Sequence, residues 1–411
     1  MANPTEQDLI YDWNTAAGNF KPSQAVEFDD ETLRDGLQSP SVTDPPIAEK
    51  LRMLHLMHRL GLQAANLGLP GAGPRARADV LALAREIANQ RLAIFPNCAA
   101  RTVETDIIPI VEIAQQAGIA IEAATFLGSS PVRLYAENWD INFLQHTVEK
   151  AVSFVVKQGL PSMFVTEDTI RSHPTTVELL YTTAVRAGAT RVVVCDTVGH
   201  ATPAGVRALV QFVRQIVHAV NPAVKVDWHG HCDRGLALSN TLAAIEAGAD
   251  RVHGTILGIG ERVGNTPLDL ILVNCKLLGW IATDLTALQE YCELVSHACG
   301  VPLPANYPVF GRDAFRTGTG VHAAAIIKAR NKGQDWLADL VYSGVPASWF
   351  GRRQEIEIGH MSGESNVIYW LFTHGFEPTR PRIEAIFNAA KSMNRNMSDD
   401  EIHEVLRSLD H

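Results

Sequence analysis

Residues 224–255 read Val224-Lys-Val-Asp-Trp-His-Gly-His-Cys-Asp-Arg-Gly-Leu-Ala-Leu-Ser-Asn-Thr-Leu-Ala-Ala-Ile-Glu-Ala-Gly-Ala-Asp-Arg-Val-His-Gly-Thr255. The stretch opens on a short β-branched and aromatic run that ends in polar residues, as a buried strand does. Leu236 to Glu246 then has the spacing of a helix, and Ala247-Gly-Ala249 closes it ahead of a second short run at Arg251–Thr255. This is one strand–helix–strand unit. Within its first strand, His229 and His231 stand two residues apart, so both side chains point to the same face. Two imidazoles side by side at a strand end suit one divalent metal. The plainer reading makes one a packed core histidine and the other a surface one, and for an isolated pair that reading would be favoured.

Outward from this stretch the unit recurs. Ala25-Val-Glu-Phe28, Ala64-Ala-Asn-Leu67, Leu92-Ala-Ile-Phe95, Ala120-Ile-Glu-Ala123, Met163-Phe-Val-Thr166 and Arg191-Val-Val-Val-Cys195 precede the two strands already quoted. Their spacing suits a strand plus a crossover helix and its loops. Ala48–Leu60 is amphipathic and stops at Gly61, and other helical patterns close at Ala117-Gly118 and Ala187-Gly188. Eight such units in one run predict an α/β fold, a (β/α)₈ TIM barrel over about residues 24–285. A doubly wound open sheet is the alternative, and the uninterrupted regularity favours closure. We divide the chain into a catalytic barrel, 1–285, and a helical C-terminal region, 286–411. Pro302-Leu-Pro-Ala-Asn-Tyr-Pro308 reads as a linker, and Ser398-Asp-Asp-Glu401 as a capping box for a last helix.

Composition narrows the function class. The 411 residues are 46% hydrophobic and 19% charged, with 35 Lys+Arg against 45 Asp+Glu and a net charge of -10, as in a globular enzyme and without a basic patch for nucleic acid. No apolar run approaches a membrane span, and the polar, acidic start is unlike a signal peptide. The 6 cysteines show no Cys-x-x-Cys spacing and fit reduced thiols, so a cytoplasmic location is expected.

A TIM barrel carries its active site at the C-terminal ends of its strands. The polar residues just past each predicted strand are therefore the candidates: Arg34-Asp35, Asn66, Asn97, Ser129-Ser130, Glu167-Asp168, Asp196-Thr197, His229 with His231, and Glu261, Arg262 and Asn265. Gly258-Ile-Gly-Glu-Arg-Val-Gly264 is not a dinucleotide fingerprint: its spacing is one residue too long and it comes after the last strand. Glu261 and Arg262 are expected to pair across the mouth, and Asp168 and Arg171 to form a structural ion pair.

Three segments carry a family resemblance. Phe28-Asp-Asp-Glu-Thr-Leu-Arg-Asp-Gly-Leu-Gln38, His229-Gly-His-Cys-Asp-Arg-Gly-Leu-Ala237 and Gly258-Ile-Gly-Glu-Arg-Val-Gly-Asn265 resemble, in order, the strand-one, strand-seven and strand-eight signatures of the isopropylmalate synthase/homocitrate synthase family, acyl-condensing barrels of the DRE-TIM metallolyase superfamily. The resemblance implies a metal site of Asp35, His229, His231 and Asn265, with Mg²⁺, Mn²⁺ and Zn²⁺ left open. It implies acetyl-CoA as co-substrate and a 2-oxo acid chelated through its carboxylate and keto oxygens. Arg34 would stabilise the developing oxygen charge. Thr197 would hold the substrate carboxylate and Glu167 would handle a proton near acetyl-CoA, while Gln38 is an amide that would either contact the substrate or support the groups that do. Gly311–His322 resembles the family's post-barrel segment, which makes His322, with Tyr342, a candidate base. In the family these two come from the partner, so a homodimer with shared sites is implied.

Each role has a plainer rival. Asp35 and Asn265 could be helix caps, Arg34 a surface ion pair, Thr197 a hydroxyl bonded to backbone, His322 a structural histidine and Tyr342 an interface aromatic. The chain also departs from the family pattern. Leu37 stands in place of a glutamate, Asn66 in place of an acidic residue, Thr317 in place of a histidine, and Asn97 and Cys98 occupy the strand-three region. Leu37, Leu67 and Leu69, beside Asn66 and Asn97, predict a substrate pocket suited to an apolar or aromatic 2-oxo acid rather than 2-oxoglutarate. Residues 286–411 are not expected to include the family's feedback domain. The rival functions are a lyase similar to hydroxymethylglutaryl-CoA lyase, a homocitrate synthase acting on 2-oxoglutarate, and a non-catalytic metal-binding barrel. The lyase branch carries a cysteine in the strand-eight loop, where Gly260–Asn265 has none.

Overall fold

The computed structural model describes residues 4–16, 18 and 20–409. Strands β1 (Glu27–Asp30), β2 (Ala64–Asn66), β3 (Phe95–Arg101), β4 (Glu122–Gly128), β5 (Ser162–Glu167), β6 (Arg191–Asp196), β7 (Lys225–Gly230) and β8 (Arg251–Gly254) are parallel and pair in chain order, and β8 closes on β1. The expected barrel is the one that forms. Helices Ile47–Arg59, Pro74–Gln90, Glu104–Ala117, Ile141–Lys157, Pro174–Arg186, Pro203–Val220, Ala237–Glu246 and Leu268–Leu277 come after the successive strands. The helix after β6 shows why: Thr202 caps its first turn, Pro203 opens it, and Val206, Val210, Val213 and Val217 bury one stripe. On the strands, Val192, Val194, Val226, Trp228 and Val252 are fully buried. Each contributes roughly 1.5–3 kcal/mol by leaving water.

The barrel interior is charged. Arg251 Nε donates to Asp227 Oδ2 at 2.8 Å and its Nη2 to Glu122 Oε2 at 2.8 Å, while Arg191 Nη1 reaches Asp227 Oδ1 at 2.6 Å. Buried charges persist only when paired in this way, since an unpaired one would neutralise or unfold the site.

β3 differs from the sequence expectation. Its ladder begins at Phe95, where the predicted strand ends, and runs to Arg101. Asn97 therefore sits inside the strand, not at its end. Its Nδ2 donates to both carboxylate oxygens of Asp29, at 3.0 and 2.8 Å.

Two compact units divide the chain at Pro302/Leu303, inside the proline-rich linker. The barrel unit thus extends past residue 285 and includes the helix Leu288–Cys299. Two bonds tie that helix to the β1 region: Tyr291 donates its hydroxyl to Asp30 Oδ2 at 2.8 Å, and Thr43 N–H to Cys299 O at 2.9 Å. The second unit holds the described residues from 303 onward together with the N-terminal segment, whose Pro4 carbonyl accepts from Gln334. It is mainly helical, with a two-residue parallel pair, Arg316–Thr317 and Glu355–Ile356. One core gathers Val367, Leu371, Ile386, Ile402 and neighbours, another Ala323, Ile326 and Ala338. Ser398 and Glu401 form the expected capping box, each side chain accepting from the other's backbone N–H. The six cysteines are free thiols. Among the described residues no helix is long and apolar enough to cross a membrane.

Candidate active site at the barrel mouth

β7 delivers His229, and His231 just past its end, to one face, as the period of two requires. Their Nε2 atoms lie 3.2 Å apart, and Asp35 Oδ2, from the turn after β1, lies 3.1 Å from the first and 3.6 Å from the second. All three residues are buried. Burial works against the Asp35 charge, but Arg34, His229 and His231 outweigh it and hold the carboxyl well below the usual range. Burial, then the neighbouring His229 and the arginines, push His231 down to about 4, so its imidazole is neutral near pH 7.

Asn265 arrives by a tight loop. It pairs with His231 in an isolated antiparallel bridge, and its Nδ2 donates to Ile259 O. Glycine is required twice here: a Cβ on Gly260 (φ +153) would stand 2.0 Å from Asn265 Nδ2, and one on Gly264 (φ +101) 1.9 Å from Gly258 O. The glycine spacing that imitates a nucleotide motif thus serves to fold the β8 loop onto Asn265. Among the described residues, the buried Oδ1 atoms of Asp35 and Asn265 have no hydrogen-bond partner. Unpaired buried acceptors beside two imidazoles fit a divalent cation.

A second cluster, Glu31, His229 and His253, also has donor atoms within 4.8 Å of one another. Its oxygens are already engaged. Glu31 Oε2 accepts from Arg34 Nε at 2.8 Å and faces Nη2 at 2.7 Å, while Oε1 accepts from Asn66 Nδ2 at 3.3 Å and faces His253 Nδ1 at 3.3 Å. Burial opposes charge on His253, yet its bonds to Asp227 and Glu31 raise it to about 9; Glu31, although buried, is held at about 2 by Arg34 and His253. The Asp35 cluster, with its open oxygen, is the better cation seat.

Around these groups lies a cavity of about 180 Å³. Arg34, Gln38, Asn66, Glu167 and Thr197 line it, together with Glu31, His253 and Cys195, which strand-end reading does not single out. The signal for Glu31 and His253 is the strand alternation itself, since they continue the inward series of Asp29 and Arg251. The opposite wall is apolar: Leu69, Ala99, Ala124, Phe126, Met163, Val165 and Val193. Thr197 Oγ1 accepts from the Asp168 N–H at 2.8 Å, which leaves its own proton to donate. Glu167 is pushed upward, by burial first and then by Glu261 and Asp168, with Arg133 and Arg34 opposing.

Several expected residues fall elsewhere. Asn97 lies below the mouth, where β3 presents Ala99 instead. Leu37 and Leu67 line a neighbouring groove, reached past Arg34, Gln38 and Leu69. Arg262 does pair with Glu261, at 3.6 Å, but its closer partners are Asp233, Nε to Oδ1 at 2.8 Å, and the Thr197 carbonyl. Asp168 and Arg171 do form the expected ion pair, at 2.6 Å. His322 and Tyr342 belong to the second unit, where their rings stack with centroids 3.9 Å apart.

Comparison with known proteins bears on the family and the fold. The family model described as HMGL-like matches residues 25–295. The chain is 30% identical over 394 residues to homocitrate synthase AksA of Methanopyrus kandleri, covering 94% of this chain and 93% of the relative. It is also 30% identical to a 2-isopropylmalate synthase of Pyrococcus abyssi, over 92% of this chain and 76% of the relative. A crystal structure of hydroxymethylglutaryl-CoA lyase from Pseudomonas aeruginosa superposes with a TM-score of 0.56 at 20% identity, over 72% of this chain and 96% of that one, and shares the fold.

Proposed function

From the premise that the chain belongs to the HMGL-like family, in which its named synthase relatives are acyltransferases, we propose that it condenses acetyl-CoA with an apolar 2-oxo acid, giving a 2-substituted malate and free CoA. The observation that carries this reading is the convergence of Asp35, His229 and His231 beside Arg34 at the barrel mouth. A divalent cation held by these three and Asn265 would supply Lewis acidity to the ketone of the oxo acid.

This chain's own groups account for the remaining steps. The Thr197 hydroxyl donates to the substrate carboxylate. A base takes a proton from the acetyl methyl group: Glu167, whose upward shift suits that role, or the partner's His322 with the partner's Tyr342 in a homodimer. The methyl carbon then bonds to the keto carbon, and the ketone's π electrons become an alkoxide that Arg34 steadies. Protonation of the alkoxide and attack of water on the thioester release the malate and CoA thiol.

The apolar wall supports the side-chain preference. A distal carboxylate, as in 2-oxoglutarate, would need a cation, and the lining cations Arg34 and His253 already face Glu31. Leu69, Ala99, Phe126 and Met163 suit a hydrocarbon instead. Thiol release with acetyl-CoA, Mn²⁺ or Mg²⁺, and a panel of 2-oxoisovalerate, phenylpyruvate and 2-oxoglutarate tests the reading. Release with one of the first two is expected. Preference for 2-oxoglutarate would overturn the substrate class, and no release with any would overturn the reaction.

A further inference from the structure

We propose that Glu31 is a positioning residue that keeps Arg34 from closing on Asp35, leaving the Asp35 carboxylate open for the cation; the inference rests on the metal-dependent function proposed for this site. Arg34 and Asp35 are chain neighbours on one turn, and the guanidinium has two carboxylates within reach. Its Nη1 stands 3.3 Å from Asp35 Oδ2, the same atom on which His229 and His231 converge. Its other edge, Nε and Nη2, is taken by Glu31 Oε2 at 2.8 and 2.7 Å.

An arginine offered one carboxylate prefers the two-point fork. Without the Glu31 charge, that preference can be met only by rotating onto Asp35 and engaging its unpartnered Oδ1. The cation would then have to displace a guanidinium. Glu31 resists swinging away because its second oxygen is held from two other strands, by Asn66 of β2 and His253 of β8, and His253 is anchored in turn on Asp227 at 3.2 Å. One buried carboxylate thereby divides the work: Arg34 is oriented toward the substrate oxygen, and Asp35 remains a ligand.

Titration of the resting full-length protein with Mn²⁺ alone, by calorimetry or by the paramagnetic resonance of free Mn²⁺, tests this. Glu31→Gln is expected to weaken Mn²⁺ binding by about 10- to 100-fold. Arg34→Met should bind Mn²⁺ at least as tightly as the wild type, and the double variant should recover wild-type affinity, which loss of a merely structural contact would not produce. Unchanged binding in Glu31→Gln, or a double variant as weak as the single one, overturns the proposal. Where Glu31→Gln fails to fold by circular dichroism, Arg34→Met decides: weakened Mn²⁺ binding in that variant also overturns it. The titration contains neither acetyl-CoA nor an oxo acid, so its outcome is separate from that of the thiol-release assay.

Discussion

Asp30 offers a sharp test of how the barrel is joined to its last helix. The carboxyl is fully buried; Thr32 N–H donates to its Oδ1 at 2.8 Å and the Tyr291 hydroxyl to its Oδ2 at 2.8 Å. Burial dominates these bonds and pushes the group up to about 7, from an ordinary value of 3.8. Between those two values the folded protein keeps a proton that the unfolded chain has lost. Stability therefore falls as pH rises through this window and levels off above it. A shift of roughly three units, at about 1.4 kcal/mol each, makes the Asp30 contribution about 4 kcal/mol. Asp30→Asn removes the titration while keeping an oxygen acceptor. Its stability relative to wild type should rise by about 4 kcal/mol between about pH 4 and about pH 8. Urea unfolding of the barrel, followed by tryptophan fluorescence across that range, measures the difference curve. Tyr291→Phe should move the window upward, since the hydroxyl stabilises the charged form. A flat difference curve for Asp30→Asn would refute the reasoning.

Further outcomes concern the mouth. Asp35→Asn should cut Mn²⁺ affinity and turnover together, because it removes the only anionic member of its cluster; equal Mn²⁺ binding in a titration would count against the metal seat. Chelation by EDTA should abolish thiol release by the wild type, and added Mn²⁺ or Mg²⁺ should restore it. Ala99→Leu places three more carbons on the apolar wall, so kcat/KM should fall for phenylpyruvate more than for 2-oxoisovalerate, by about tenfold or more. An unchanged ratio would show that the side chain lies elsewhere. Gly260→Ala puts a Cβ 2.0 Å from Asn265 Nδ2 at φ +153 and should weaken Mn²⁺ binding and lower the melting temperature; a wild-type melt would contradict the role given to the loop.

The β/α period, the closure of the barrel and the His-Gly-His pair are legible in the chain because each is a local pattern. Alternation along β7 is enough to put two imidazoles on one face, and strand order is enough to put that face at the mouth. Other features depend on exact ladder ends. β3 runs through Asn97-Cys-Ala-Ala, small residues with little strand signature, so the sequence predicts a strand that stops short and sets Asn97 at the mouth in place of Ala99. Leu37 differs from its expected place for a related reason: the turn Gly36–Gln38 is a single 3₁₀ turn, in which neighbouring side chains point about a third of a circle apart. Gln38 lines the cavity and Leu37 the adjacent groove.

By itself, then, the sequence determined the barrel and the mouth, through periodicity and strand order, and with the family signatures it singled out His229, His231, Asp35 and Asn265 as the candidate donors. Only the tertiary structure decided which carboxylate stays open, which wall is apolar and that Leu288–Cys299 completes the barrel unit. Those depend on groups far apart in the chain: Glu31 meets Asn66 and His253, and Asp30 meets Tyr291, only once the strands have closed.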